Sequence, residues 1–205
     1  MKLVFGVGTN DADYSVIVRK EQPMVDGKRQ RKVVFKCPYY HRWQAMLQRC
    51  YSKTSMSRRI KYRECFVCEE WLTFSNFKSW MEKQDWEGRE LDKDLLIKGN
   101  KVYSPETCVF VSREINLFIT ECDAARGDYL IGVHKHSVNG TFVAQINLEG
   151  KRKNLGSFST EIEAHRKWLT EKQKLAKLLA EGQTDSRVAN ALIERYTSDA
   201  ETLYS

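Results

Sequence analysis

The sequence predicts an α+β protein: a ββα finger within an amino-terminal domain, followed by a three-stranded antiparallel sheet packed on one helix. Three observations carry this. Residues 91–116 read as a strand, a loop, a second strand and a helix opening. Residues 129–181 read as three short strands and an amphipathic helix. Residues 37–86 repeat aromatic side chains at helical spacing. With 205 residues and 41% hydrophobic content the chain has room for two small cores. The expected division is a first domain over 1–122, a linker over 123–128, a second domain over 129–182 and a tail over 183–205.

At the start of the chain, Val4 to Gly8 and Val16 to Val18 are strand candidates. A basic run, Gly27-Lys28-Arg29-Gln30-Arg31-Lys32, separates them from Val33-Val34-Phe35. It reads as a solvated loop or a phosphate contact. Next, Tyr40, Trp43, Met46, Leu47 and Cys50 fall on one helical face, and Trp71, Phe74, Phe77, Trp80 and Met81 on another. Such stripes are expected to be core, although aromatic clusters also stack on bases. Four of the six cysteines, Cys37, Cys50, Cys65 and Cys68, offer a four-thiolate Zn²⁺ site. Buried, reduced thiols are the other reading, and it suits a cytosolic protein better.

Asp92 and Asp94 are two apart, so an extended strand would project both carboxylates to one face. Gly99-Asn100 and Ser104-Pro105 mark a loop, Cys108 to Val111 a buried strand, and Ser112 a helix cap ahead of Glu114 and Asn116. Asp92, Asp94 and Asn116 would then offer hard oxygen ligands to one Mg²⁺ or Mn²⁺. The alternative is an exposed, solvated strand.

In the carboxy-terminal half, Gly140 and Gly150 separate the three strands. Thr160 followed by Glu163 makes a capping box for a helix carrying Ile162, Trp168, Leu169, Leu175 and Leu179. A short helix is expected over 187–195. Residues 1–128 hold 23 basic and 18 acidic residues, residues 129–182 hold 9 and 5, and the tail 2 and 4. The net charge of +7 therefore spans both modules and favours a polyanionic partner. No stretch approaches the length of a membrane span and no signal-like segment opens the chain, so a soluble, cytoplasmic protein is expected.

The 91–116 pattern resembles the HNH (His-Asn-His) endonuclease motif, whose members hold one divalent ion between two strands and a helix and cut a phosphodiester bond. Leu91-Asp92 matches the opening of its first strand, and Asn116 matches its helical metal ligand. Lys93 stands where the family has its general-base His. The family's middle Asn, which braces the metal loop, would fall near Tyr103 or Thr107. The resemblance implies a catalytic set of Asp92, Lys93 and Asn116. Lysine starts too basic to take a proton from water near pH 7, so Lys93 is expected to clamp phosphate, with a metal-bound water or His41 supplying the base function.

The 129–181 pattern resembles the Apetala-two, or ethylene-response-factor, DNA-binding domain, which is also found fused to homing endonucleases of phages. Gly132-Val133, Phe142-Val143-Ala144, Leu155-Gly156-Ser157-Phe158-Ser159-Thr160 and Glu163-Ala164 carry the likeness. It implies that the sheet lies in the major groove of double-stranded DNA, with contacts from Lys135, His136, Thr141, Gln145, Asn147, Arg152 and Asn154. Together the two resemblances imply a phage-type, metal-dependent DNA endonuclease. The alternative is a catalytically silent DNA-binding protein acting as a repressor, decoy or inhibitor of host machinery. RNA or protein binding through the aromatic middle is a third reading.

Overall fold

The computed structural model describes residues 3–25, 28–58, 62–120, 128–148 and 150–204. It is an α+β protein whose chain divides into two compact units, Met1–Phe110 and Val111–Ser205.

In the first unit, β1 (Ile17–Val25) and β2 (Lys28–Lys36) pair as an antiparallel ribbon. From Lys28 to Lys32 the basic run expected as a loop is therefore strand. Pairing with β1 gives its backbone a ladder. Val4 to Gly8, expected as a strand, closes instead into a single antiparallel bridge between Val4 and Gly8. Phe5 and Gly6 both have positive φ, which turns the chain back on itself.

Helix α1 (Pro38–Tyr51) starts with a proline whose fixed φ suits the first turn. It buries Tyr40, Trp43, Met46, Leu47 and Cys50, the stripe that the spacing predicts. After α2 (Lys53–Arg58) and β3 (Phe66–Val67), a 3₁₀ turn (Glu70–Leu72) leads into α3 (Phe74–Met81). Trp71, Phe74, Phe77 and Met81 are buried there, and Trp43 Nε1 donates to the Trp71 carbonyl at 2.7 Å. Some aromatic edges meet faces, as in the Trp71–Phe77 pair with centroids 5.1 Å apart, while Trp80 stacks on Phe110 at 5.7 Å. These rings are core, not a stacking surface.

Three short strands follow, β4 (Glu90–Asp92), β5 (Val102–Tyr103) and β6 (Val109–Val111), the last running across the boundary after Phe110. β3 pairs in parallel with β5, and β4 pairs with β6.

The second unit begins with α4 (Arg113–Ile119), whose cap is the expected one: Ser112 Oγ accepts from the Ile115 amide at 3.2 Å. β7 (Val133–Lys135), β8 (Phe142–Leu148) and β9 (Lys151–Phe158) form an antiparallel sheet in that order. α5 (Glu161–Glu181) opens with the predicted Thr160–Glu163 capping box. Val133, Ala144 and Ile146 of the sheet pack with Ala164, Trp168 and Leu169 of α5. Gly132 has φ +79°, and a Cβ on it would come within 2.1 Å of the Trp168 ring. Only glycine admits that approach.

α6 (Ser186–Tyr204) is about twice the helix expected over 187–195. It buries Val188, Ala191, Leu192 and Tyr196, and Gln173 of α5 donates to the Tyr196 carbonyl at 3.1 Å. The sheet therefore packs on a helix that is itself backed by another. α4 belongs with this pair: Lys172 Nζ of α5 donates to the Phe118 carbonyl at 2.6 Å and lies 3.8 Å from the Phe118 ring centroid. The Tyr196 hydroxyl reaches the same carbonyl at 3.3 Å. These contacts explain why the division falls after Phe110, earlier than the expected linker at 123–128, whose residues 123–127 lie outside the described ones. The expected finger is split accordingly, with Asp92 and Asp94 in the first unit and Asn116 in the second. Among the described residues no helix is long and apolar enough to cross a membrane.

Candidate nucleic-acid interface and acidic turn

Side chains alternate between the faces of a strand, and cross-strand partners share a face. Since Ala144 and Ile146 face α5, Gln145 and Asn147 face away from it. Their partners are Asn154 and Arg152, which places two polar pairs side by side. Asn147, Arg152 and Asn154 are exposed, Gln145 is half-buried, and Val143 on the same face is buried. Between Ala144–Gly156 and Gln145–Asn154 the register shifts, leaving Leu155 unpaired in β9. Leu155 packs into the core. Asn154 Oδ1 accepts from the Gly156 amide at 2.8 Å across this bulge.

Two of the expected contacts sit in the β7–β8 turn. The His136 amide donates to the Thr141 carbonyl at 2.8 Å, and the Thr141 amide to Asn139 Oδ1 at 3.1 Å. Lys135 departs from the outer face. It pairs with Phe142, on the α5 side by parity, with Nζ 5.8 Å from that ring's centroid. His134, opposite Val143, is exposed on the outer face instead. The period of two, counted from buried Val133, would have found it.

The second candidate site is a turn. β4 ends at Asp92, whose Oδ1 accepts from the Asp94 amide at 2.8 Å and the Leu95 amide at 2.7 Å. The expected strand bearing both carboxylates on one face is therefore a side-chain-capped turn. Asp92 bonds its own backbone two and three residues on, which competes with the ladder. Burial pushes the Asp92 carboxyl above its ordinary value, and the nearby Asp94 charge adds to this, while the two amides and Lys93 oppose it.

Lys93 is 6% exposed, with Nζ 2.5 Å from Asp94 Oδ1 and 2.5 Å from the Asn100 carbonyl. Burial pulls its pKa down, but the Asp94 hydrogen bond and charge outweigh that, with help from Cys65 and Tyr62, and the net shift is upward. Lys93 therefore keeps its proton and acts as an internal strut. Asn100 Nδ2 donates to the carbonyls of Lys93 and Val102 at 2.8 and 2.6 Å, and Oδ1 accepts from the Val102 amide at 3.1 Å. A loop-bracing Asn thus exists, at Asn100 rather than near Tyr103 or Thr107. In the sequence it reads as a turn residue beside Gly99. Tyr103 is buried against Arg49, and Thr107 Oγ1 donates to the Val102 carbonyl at 2.8 Å.

His41 sits exposed on the first turn of α1. Burial, Lys36 and Arg42 hold its pKa below the ordinary value. The four cysteines do not form one zinc site. Cys37 caps α1 and Cys50 ends its buried stripe, so at 1.5 Å per residue their positions lie about 20 Å apart along the helix. Cys37 Sγ lies 3.4 Å from the Tyr14 hydroxyl, and Cys65 lies beside Lys93. Among the described residues no three His, Cys, Asp or Glu side chains group as metal ligands. No protein-family model, curated protein or solved structure matches this chain.

Proposed function

We propose that this chain is a soluble, cytoplasmic protein that binds double-stranded DNA through the outer face of β7, β8 and β9. The observation that carries this is the pair of cross-strand couples Gln145–Asn154 and Asn147–Arg152 on the side of the sheet turned away from α5. Gln and Asn can bond both adenine edge groups at once, while Arg reads guanine or neutralises phosphate. The net charge of +7 supports the same partner through counterion release. A three-stranded sheet on a capped helix is also the arrangement that the resemblance to the Apetala-two domain implies. Labelled duplexes titrated with the protein test the reading. Arg152→Ala should weaken binding to every duplex and flatten its salt dependence, whereas Gln145→Ala should relax sequence preference by roughly 5- to 150-fold. Parental binding in both variants would remove the proposal.

A second reading adds cleavage: the HNH-type activity that the resemblance implies, with Mg²⁺ or Mn²⁺ held at the turn that carries Asp92 and Asp94. It is favoured by the partly desolvated Asp92 carboxyl, since a buried anion gains from a cation. The ligand set fits only in part, because Asp94 Oδ1 is bonded to Lys93 and Asp92 Oδ1 to two amides. Lys93 holds its proton too firmly to serve as the base. These features support the silent repressor, decoy or inhibitor over the enzyme. Supercoiled plasmid incubated with Mg²⁺ or Mn²⁺ separates the two. Nicking abolished by chelator and by Asp92→Asn supports the nuclease, and an intact plasmid that the protein still binds supports the silent form.

A further inference from the structure

Ile17, at the base of the β1–β2 ribbon, packs against the core of the first unit, and beyond it the described residues of the ribbon run out into solvent. Every side chain from Val18 to Met24 and from Arg29 to Phe35 is exposed, on both faces. A two-stranded ribbon in water is marginal by itself, so one of nine-residue strands with two wet faces calls for a partner. Its charge names the partner's chemistry. Residues 17–36 hold seven basic and two acidic residues, a net +5. The rest of the first 128 residues is balanced at sixteen of each sign, so the whole basic excess of that half sits in the ribbon.

The pairing register adds an independent observation. Lys20 lies directly opposite Lys32, and Gln22 directly opposite Gln30. Like charges in opposed positions destabilise a sheet pair. A polyanion laid across that face would relieve the repulsion. On the other face, Arg31 makes an exposed contact to Glu21 at 3.7 Å, which contributes little.

We infer that the β1–β2 ribbon is a second DNA-binding arm, which lays its Lys20–Lys32 and Gln22–Gln30 face into a groove of duplex DNA. The major groove is about 12 Å wide and admits a two-stranded ribbon, and a nine-residue strand reaches about 30 Å along it. The two lysines neutralise phosphates at the groove wall or bond guanine, and the two glutamines lie at positions from which they can read base edges. The inference stands on elements other than the β7–β9 sheet.

The test uses the full chain carrying Lys20→Gln with Lys32→Gln, exposed positions whose change should not disturb folding. Duplex affinity should fall about tenfold near 0.15 M salt, and the slope of log affinity against log salt should become shallower by about 2. Without DNA, the variant's thermal midpoint should equal or exceed the parent's, because a repulsion has been removed. Unchanged affinity and slope would overturn the arm. So would a lowered midpoint, which would mean that the lysines serve the fold, or equal losses on single-stranded RNA and duplex, which would remove the groove. Arg152→Ala in parallel keeps the two surfaces distinct. If only the ribbon variant weakens binding, the arm stands and the sheet reading fails.

Discussion

Lys93 and Asn100 hold each other twice: the lysine ammonium reaches the Asn100 carbonyl at 2.5 Å, and the Asn100 side-chain amide returns to the Lys93 carbonyl at 2.8 Å. With its two bonds to Val102, Asn100 ties the end of β4 to the start of β5. Asn100→Ala removes three hydrogen bonds and leaves backbone groups short of partners. Urea unfolding should show a loss of about 2–4 kcal/mol.

Asp92 predicts a pH effect. A carboxyl whose folded pKa lies above its unfolded value binds protons more tightly when folded, so stability falls as pH rises from the ordinary Asp range through the folded pKa. Above that window the deficit is complete. Asp92→Asn keeps an oxygen for the Asp94 and Leu95 amides and removes the charge. The variant should be more stable than the parent at pH 7, and the difference should shrink near pH 3. Unfolding curves at both pH values measure it.

Gly132→Ala should cost about 2–4 kcal/mol, because the added methyl meets the Trp168 ring at a positive φ that alanine resists. Indole fluorescence during denaturation reports it directly.

Lys172→Met keeps a long apolar stem but gives up the hydrogen bond to the Phe118 carbonyl and the cation beside the Phe118 ring. A charged hydrogen bond is worth about 1.5–3 kcal/mol, and thermal unfolding should register a loss of that size.

Burial pushes the thiols of Cys50 and Cys108 up to about 12. Both should resist iodoacetamide at pH 8 in the native protein and react once it is unfolded, as peptide mapping would show.

The parts that could be read from the sequence are those governed by local rules. The Thr160–Glu163 capping box, the Ser112 cap, the turn glycines 140 and 150 and the apolar stripe of α1 each depend on neighbours within a few residues. What could not be read depends on distant partners. Lys20 and Lys32 look like solvated charge until the register sets them opposite each other. Lys93 looks like a surface lysine until Asp94 and Asn100 enclose it. Asp94 satisfies the period of two with Asp92 and still lies outside the ladder, because the Asp92 carboxylate bonds the backbone just downstream.

The seat of Phe118 carries a consequence for how this protein can be taken apart. Trp168, Leu169 and Ala176 share one cluster with Tyr196, and Phe118 packs against it. A fragment cut at 129 and 182 would lose both α4 and α6, turning a finished interior into a greasy surface prone to self-association. The smallest piece that takes its own core with it runs from Ser112 through α6, so the transferable module of this chain is a sheet with three helices.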